Sequence, residues 1–181
     1  MRPSPYGYAT NLFSPDQIKE INESVKSNLL KSSDIAAKSA VKTSDVQFVK
    51  LATIIKQIAP FIDFCINQNS VNYGFHLYPL TANTILNYNI YQSGTEYSWH
   101  IDCDNKSPMS DIKLTCLLNC SEQEYDGGSL HLWQNVEIEC KELNAPGSAV
   151  IFPSYLNHKV TKVTSGERKS LAVWLKGPNF R

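Results

Sequence analysis

The chain has 181 residues, of which 42% are apolar and 19% charged, a composition typical of globular rather than disordered proteins. No run of apolar residues approaches the ~20 needed to cross a bilayer, so no membrane span is expected. Lys plus Arg and Asp plus Glu number 17 each. The formal net charge of zero argues against a nucleic-acid-binding protein, which usually carries a basic surplus.

The five cysteines and the N-terminal sequence both favour a cytoplasmic location. The cysteines are odd in number and include no Cys-x-x-Cys pair, which predicts reduced thiols rather than disulfides. The first residues, MRPSPYGYATNLFSPDQ, lack the apolar stretch of a signal peptide. Cys116 lies in an apolar run, so we expect it to pack in the core rather than to bind a metal.

Two helices are predicted in the N-terminal part of the chain. The segment FSPDQI is typical of a helix start, because Ser14 and Gln17 can form a capping box and Pro15 suits the first helical position. This helix is predicted over about residues 15–30. A second helix is predicted over about residues 49–67, where the apolar residues recur at helical spacing.

Beyond residue 72 the sequence becomes a series of short segments rich in β-branched and aromatic residues, separated by Gly, Pro, Asn or Asp. Strands are predicted within YGFHLY, TILNYNIY, EYSWHID, IKLTCLLN, GSLHLW, VEIEC, SAVIFP, HKVTKV and SLAVWL. Short strands with closely spaced turns predict an all-β sandwich or barrel. The two helices are then expected to pack on one sheet.

The stretch YSWHID carries the first candidate metal ligands. Residues two apart on a strand point to the same face, so His100 and Asp102 can converge on one point. By the same alternation, Tyr97 and Trp99 are expected on the opposite face, packed outward or against a helix. An imidazole and a carboxylate supply two thirds of the two-histidine-one-carboxylate triad that binds Fe(II).

The third ligand must come from another strand. His158 is the preferred candidate, because it begins a new strand after a Pro-Gly turn, an apolar strand and a bend. His131 is the competing candidate, although its apolar neighbours suit a packed side chain equally well. His76 has no partner at suitable spacing and is interpreted as structural. Zinc is an alternative metal, since two histidines and one carboxylate also suit catalytic zinc.

An arginine follows ten residues after His158, in TSGERKSLAVWL. The strand period places four residues on one face: Arg168, Ser170, Ala172 and Trp174. An arginine on an interior face needs an anionic partner, and its guanidinium group matches a carboxylate in bidentate geometry. The pattern predicts an anion-binding group behind an open metal site, with Ser170 able to add a hydrogen bond.

Together these motifs resemble those of the Fe(II)/2-oxoglutarate-dependent dioxygenases, and within them the prolyl 4-hydroxylase-like branch. The likeness covers about residues 85–176 and rests on HID, a distal histidine and the arginine, with Gly-Gly and Pro-Gly turns between them. It implies a double-stranded β-helix (jelly-roll, cupin-like) core in an α+β, mainly β, protein. It also implies one dioxygenase domain over residues 1–181, with a helical front at about 14–70 and a β core at about 72–176.

The resemblance implies a role for each matching residue. Three residues would ligate Fe(II): His100, Asp102 and His158. Arg168 would bind the distal carboxylate of 2-oxoglutarate, with Ser170 beside it. Tyr91 matches a tyrosine that often hydrogen-bonds this cosubstrate, and Trp174 matches an aromatic residue that lines the pocket. Leu117 stands where some prolyl hydroxylases carry a second cosubstrate tyrosine, so that contact is missing or supplied by another residue.

The implied activity is hydroxylation of an unactivated C–H bond with O2, coupled to decarboxylation of 2-oxoglutarate to succinate and CO2. The branch resemblance points to a prolyl residue of a protein or peptide as the substrate. A free amino acid or other small molecule is the alternative substrate, and a non-catalytic binding module on the same fold is the alternative of a different class. Nucleobase demethylation is disfavoured, because those relatives carry a further arginine where this chain has Trp174. The oligomeric state is left open.

Two loops are candidate lids over the site. Residues 103–113, CDNKSPMSDIK, directly follow the predicted metal carboxylate and are expected to cover the site and help select the substrate. The small, polar residues of 31–45 form the second candidate lid. Both assignments rest on position and composition alone.

Overall fold

The computed structural model describes residues 5–30, 43–103 and 110–179, and these form two α-helices, two short helical turns of other types and twelve strands. The helices are α1 (Pro15–Ser27) and α2 (Leu51–Gln68). The strands are β1 (Gly7–Ala9), β2 (Asp45–Lys50), β3 (Ile85–Gln92), β4 (Tyr97–His100), β5 (Ile112–Asn119), β6 (Asp126–Gly127), β7 (Leu130–Trp133), β8 (Glu137–Glu139), β9 (Ala149–Pro153), β10 (Asn157–Val160), β11 (Val163–Ser165) and β12 (Glu167–Lys176).

The central parts of both candidate lids, residues 104–109 and 31–42, lie outside the described residues, so the lids stay predictions. In the described part of the chain, neither helix is long and apolar enough to cross a membrane.

Helix α1 begins as predicted and ends earlier than predicted. The Ser14 hydroxyl accepts a hydrogen bond from the Gln17 N–H, and the Gln17 side chain accepts one from the Ser14 N–H, which completes the capping box. The helix ends at Ser27 because the chain then turns to pair with β2. Leu29 forms a β-bridge to Val49 on that strand.

Two predictions about secondary structure are wrong. Residues 45–50, predicted as a loop end and a helix start, form β2, which pairs antiparallel with β3 along its whole length. YGFHLY, predicted as a strand, contains none, because a π-helical turn (Asn69–Tyr73) prolongs α2 and Gly74 then adopts φ +67°. The Tyr73 hydroxyl donates to the Ile151 carbonyl and so ties this turn to β9.

Two antiparallel sheets make up the β core. The larger has the strand order β1-β9-β5-β12-β3-β2, and the smaller has the order β4-β10-β7-β8. Strands β6 and β11 form a separate two-stranded ribbon. The mainly β architecture with N-terminal helices is thus confirmed.

One apolar cluster lies between the helices and the larger sheet, and another lies on the opposite side of that sheet. Along β12, Leu171, Val173 and Leu175 belong to the helix-side cluster, so the alternate residues point away from the helices. All five cysteines are buried and unpaired, and Cys116 packs in the helix-side cluster as predicted. The strand alternation of β12 therefore separates the core from the candidate site.

Candidate metal centre

Three side chains from two neighbouring strands converge on one point. His100, at the end of β4, pairs directly with His158 on β10, and Asp102 lies two residues beyond His100. One ligand atom of each lies within 4.8 Å of the others, and no other such cluster of three occurs among the described residues. The two Nε2 atoms lie 3.6 Å and 3.4 Å from the Asp102 carboxylate, on Oδ1 and Oδ2 respectively.

The backbone orients both imidazoles. Nδ1 of His100 lies 2.8 Å from the Ser98 carbonyl, and Nδ1 of His158 lies 2.9 Å from the Leu156 carbonyl. A carbonyl only accepts, so each Nδ1 carries the proton of its contact and each Nε2 is directed at the Asp102 carboxylate. With a metal bound in place of the Nε2 protons, each imidazole would supply a lone pair beside the carboxylate. The donor set therefore fits a divalent metal such as Fe(II).

The Asp102 carboxylate is held from several directions. Its Oδ2 accepts hydrogen bonds from Thr115 Oγ1 at 2.7 Å and from Trp174 Nε1 at 3.0 Å. The backbone N–H of Asp102 donates to the Ser154 carbonyl at 3.0 Å. Burial raises the pKa of Asp102, but His158, Thr115 and Trp174 outweigh burial and hold the pKa well below its usual range.

Sequence reasoning missed Thr115. The signal was its hydroxyl inside the apolar run IKLTCLLN, on the same strand face as Leu117. A buried hydroxyl in such a run needs a hydrogen-bond partner, and that partner is the candidate ligand Asp102.

Arg168 lies on the same face of β12 as Trp174 and is only 1% exposed. Its Nη1 donates to Ser170 Oγ at 3.3 Å, and its guanidinium carbon lies 5.1 Å from the centre of the Tyr91 ring. Its Nη2 is buried without a hydrogen-bond partner among the described residues, and none of their carboxylates forms an ion pair with it. A buried cation with unmet donors fits a bound carboxylate.

Glycine at position 128 makes room for the arginine stem. Gly128 has φ +62°, and a Cβ there would lie 2.8 Å from Arg168 Cδ. Any larger residue would therefore be strained and would displace the guanidinium group. The Gly-Gly turn seen in the sequence thus helps to position Arg168.

One pocket joins the metal cluster to Arg168. Along β12, Arg168 pairs with Tyr91 of β3, Ala172 pairs with Leu117 of β5, and Trp174 pairs with Thr115. The pocket is lined by residues of both sheets: Asn87, Asn89, Tyr91, Tyr97, His100, Asp102, Thr115, Leu117, Leu130, His158, Val160, Arg168, Ser170, Ala172 and Trp174. Every predicted site residue lies in this pocket.

His131, the competing ligand candidate, lies elsewhere. Its strand neighbours Leu130 and Leu132 are buried between the sheets, so His131 points outward. Its Nδ1 lies 2.8 Å from Glu137 Oε1, on the outer face of the smaller sheet. The structure does not bring His131 to the metal cluster.

The expectation that Tyr97 faces away from His100 is wrong. The two rings stack with their centres 3.5 Å apart, and Tyr97 lines the pocket. His158 pairs with His100 and Val160 with Tyr97, so three steps along β4 match two along β10. This β-bulge breaks the alternation and turns Tyr97 inward. Trp99 is partly exposed and meets Trp133 edge to face, as an outward residue would.

The model of the 2OG-Fe(II) oxygenase superfamily matches residues 86–176, about half of the chain. The chain belongs to this superfamily. A PKHD-type hydroxylase of Synechococcus sp. is 36% identical over 85 residues, which are 46% of this chain and 37% of that protein. One from Shewanella oneidensis is 39% identical over 92 residues, which are 49% of this chain and 41% of that protein. The chain thus spans about two fifths of the length of the curated relatives it matches.

Solved structures share the fold. A Pseudomonas putida prolyl-4-hydroxylase superposes with a TM-score of 0.71 at 17% identity, covering 97% of this chain and 94% of that one. A Trichoplax adhaerens prolyl hydroxylase, in complex with a hypoxia inducible factor peptide fragment, superposes with a TM-score of 0.65 at 14% identity, covering 95% and 83%. These similarities confirm the jelly-roll core that the resemblance implied.

Proposed function

We propose that this chain is an Fe(II)- and 2-oxoglutarate-dependent dioxygenase that hydroxylates an unactivated C–H bond, with a prolyl residue of a protein or peptide as its substrate. The observation that carries the proposal is the combination, in one pocket, of a three-ligand metal cluster and a buried arginine that has no carboxylate partner in the described part of the chain. Membership of the superfamily supports Fe(II), 2-oxoglutarate and O2 as the reactants. The names of similar hydroxylases, one bound to a peptide, support the substrate class.

The residues of the cluster would hold Fe(II) on one side: His100, Asp102 and His158. Three ligands on an octahedral ion would leave three positions open, and the pocket that holds the ligands is also lined by Arg168. Iron held there would supply the oxidation, in which one atom of O2 would enter the substrate C–H bond and the other would enter succinate as 2-oxoglutarate loses CO2. The protein's part is to position the reactants and exclude water.

Arg168 would hold the distal carboxylate of 2-oxoglutarate. Its unmet Nη2 donor is available for that carboxylate, while Ser170 fixes Nη1. The ring of Tyr91 packs beside the guanidinium group, so it would position Arg168 whether or not its hydroxyl reaches the cosubstrate. Between Arg168 and the metal cluster, Ala172 and Leu117 offer an apolar wall suited to methylene groups.

The test is to incubate the purified chain with Fe(II), 2-oxoglutarate and O2 and to measure succinate with and without a library of prolyl peptides. Peptide-stimulated succinate and a peptide mass increase of one oxygen atom are expected. If free amino acids rather than peptides stimulated succinate formation, the prolyl-peptide substrate would be wrong and a small-molecule substrate would take its place. Absence of both 2-oxoglutarate binding and succinate formation would overturn the proposed chemistry.

Asp102→Ala is the matched control. This variant is expected to lose Fe(II) binding and succinate formation, because the carboxylate ligand is gone. Its circular dichroism spectrum should match that of the wild type, which separates loss of the ligand from loss of the fold. Full iron occupancy in the variant would show that the ligand assignment is wrong.

A further inference from the structure

The outer face of the smaller sheet carries an exposed pair of tryptophans. Trp99 of β4 is 36% exposed and Trp133 of β7 is 48% exposed, although tryptophan is highly buried on average. Their rings meet edge to face, with centres 6.3 Å apart and planes at 85°. Of the three indole N–H groups of the chain, only that of Trp174 donates to a described residue. The exposed pair therefore offers two aromatic rings and two indole donors at the surface.

A groove of about 290 Å³ lies beside Trp99 and follows β4 and β10. Its lining residues are Glu96, Tyr97, Ser98, Trp99, Lys159, Val160, Thr161 and Lys162. These residues together with Trp133 are called the outer groove below.

The charged groups of the outer groove are mainly hydrogen-bond donors. The Lys159 ammonium lies 4.6 Å from the centre of the Trp99 ring and pairs with Glu137 at 2.8 Å. The same Glu137 oxygen also contacts Nδ1 of His131 at 2.8 Å, so this carboxylate already has two partners. Lys162 forms no ion pair with a described residue. A partner that supplies acceptors and apolar rings would complement this surface.

We propose that the outer groove binds a proline-rich segment of the substrate, in the polyproline II conformation, at a distance along the peptide from the hydroxylated residue. The inference rests on the proposed function, since it takes a prolyl peptide as the substrate. Proline has no N–H, and polyproline II has no internal hydrogen bonds, so such a segment presents free carbonyl acceptors and apolar rings. Exposed tryptophans suit both, because the indole ring packs on proline and its N–H donates to a carbonyl.

Other extended segments fit the outer groove less well. Each non-prolyl residue brings a backbone N–H that needs an acceptor, and the side chains of the groove offer few of these. A proline-rich segment is also already ordered before it binds, so it loses little conformational entropy. A free amino acid would cover only a small part of the surface.

Strand β4 connects the outer groove to the metal cluster. Trp99 directly precedes the candidate ligand His100, and the two side chains lie on opposite faces of the smaller sheet. Among the described strands β4 pairs with β10 alone, so a peptide can pass around this edge from one face to the other. A polyproline II segment advances about 3.1 Å per residue and a sheet layer is about 10 Å thick, so roughly four to six residues would separate the docked segment from the target.

The first test measures binding of a blocked decaproline peptide to the purified full chain by isothermal titration calorimetry. A Gly-Ser peptide of the same length is the control ligand and should not bind. Trp99→Ala and Trp133→Ala should each weaken decaproline binding at least about 10-fold, as expected for aromatic anchors. Both side chains are exposed, so both variants should keep the wild-type circular dichroism spectrum, and either variant suffices if the other does not fold.

Tyr78→Ala is the matched control variant. Its side chain is also an exposed aromatic, at 51%, but it lies outside the smaller sheet. It should bind decaproline as the wild type does. An equal loss of binding in all three variants would point to non-specific contact with aromatic surface and would overturn the inference.

The second test separates docking from chemistry. In the succinate assay, Trp99→Ala should raise KM at least about 10-fold for a prolyl peptide that carries a proline-rich extension. The KM for the same peptide without the extension should stay unchanged, as should kcat, Fe(II) affinity and 2-oxoglutarate affinity. A general defect in the fold would instead affect both peptides.

The outcomes distinguish this inference from the proposed function. Failure of the wild type to bind decaproline, or unchanged binding in both tryptophan variants, would overturn the inference and leave the proposed chemistry standing. Tryptophan-dependent decaproline binding without any succinate formation would overturn the proposed function and leave the outer groove as a binding site for proline-rich segments.

Discussion

The two faces of strand β12 are equally buried and chemically opposite. Leu171 on one face is 0% exposed and packs in the helix-side cluster, while Arg168 on the other face is 1% exposed and forms no ion pair with a described residue. Burying a leucine contributes roughly 1.5–3 kcal/mol of stability, whereas burying an unpaired charge costs free energy. The comparison shows that burial alone does not identify a structural residue. One strand supports the fold with one set of alternate residues and the site with the other.

Leu171→Ala is expected to have the largest effect on stability. Removing this side chain from the helix-side cluster should lower the free energy of unfolding by about 2–5 kcal/mol, because a cavity remains. Urea denaturation measures the change. The metal affinity of the folded variant should match that of the wild type, and a weakened metal site would show that the two faces are coupled.

Arg168→Met should weaken the binding of 2-oxoglutarate without lowering the stability of the fold. The affinity for 2-oxoglutarate is expected to fall at least about 100-fold, since charged hydrogen bonds to the carboxylate are lost. The free energy of unfolding should stay level or rise, because an unpaired buried charge is removed. Isothermal titration calorimetry and urea denaturation measure the two quantities.

Lys169→Met is the matched control for that variant. Lys169 is the next residue along β12, faces the other way and pairs with Glu122 at 3.1 Å and Glu167 at 2.9 Å. The Lys169→Met variant should therefore bind 2-oxoglutarate with unchanged affinity. An equal loss of affinity in both variants would point to net charge rather than to the pocket.

Ala172→Leu tests the middle of the pocket face. The added volume would project between Arg168 and the metal cluster, where the cosubstrate is proposed to lie. Affinity for 2-oxoglutarate should fall at least about 10-fold, or about 1.4 kcal/mol, while metal affinity is retained. Binding of 2-oxoglutarate at wild-type strength would show that the cosubstrate takes another route through the pocket.

Ser14→Ala should have the smallest effect. It removes one half of the α1 capping box, far from the site in the chain, and should cost about 1 kcal/mol of stability. Thermal unfolding monitors the change. Metal and 2-oxoglutarate affinities should be those of the wild type, so that this variant sets the baseline for a purely structural defect on the helix side.

Every residue predicted from the sequence to form the site lies in the pocket, although Thr115 and Tyr97, which also line it, were not predicted to do so. His100 and Asp102 are two residues apart in the sequence, as are Arg168 and Ser170, and the side chains of each pair point to the same side. The pairing of His100 with His158 is tertiary; the sequence favoured His158 because it begins a new strand after a bend, and the resemblance to a known family supported that choice. The roles of these residues in binding metal and cosubstrate stay predictions.

The errors arose where a partner strand decides the local structure. Tyr97 turns inward because β4 gains a residue against β10, and no pattern within YSWHID reveals that bulge. Strand β2 forms because β3 offers it an edge, although its last residues also suit a helix start. Thr115 was overlooked because its hydroxyl is hidden in an apolar run. Each of these features depends on what lies across the sheet rather than along the chain.

The position of β4 at the edge of the smaller sheet has a dynamic consequence. Strand β12, between β5 and β3, has hydrogen-bonded neighbours on both sides, whereas β4 pairs with β10 alone among the described strands. Edge strands open locally at a lower free energy than central ones, so amide hydrogens of β4 should exchange with solvent faster than those of β12. A metal bound by His100 and His158 would fasten this edge to its neighbour. Metal loading should therefore slow exchange along β4 far more than along β12.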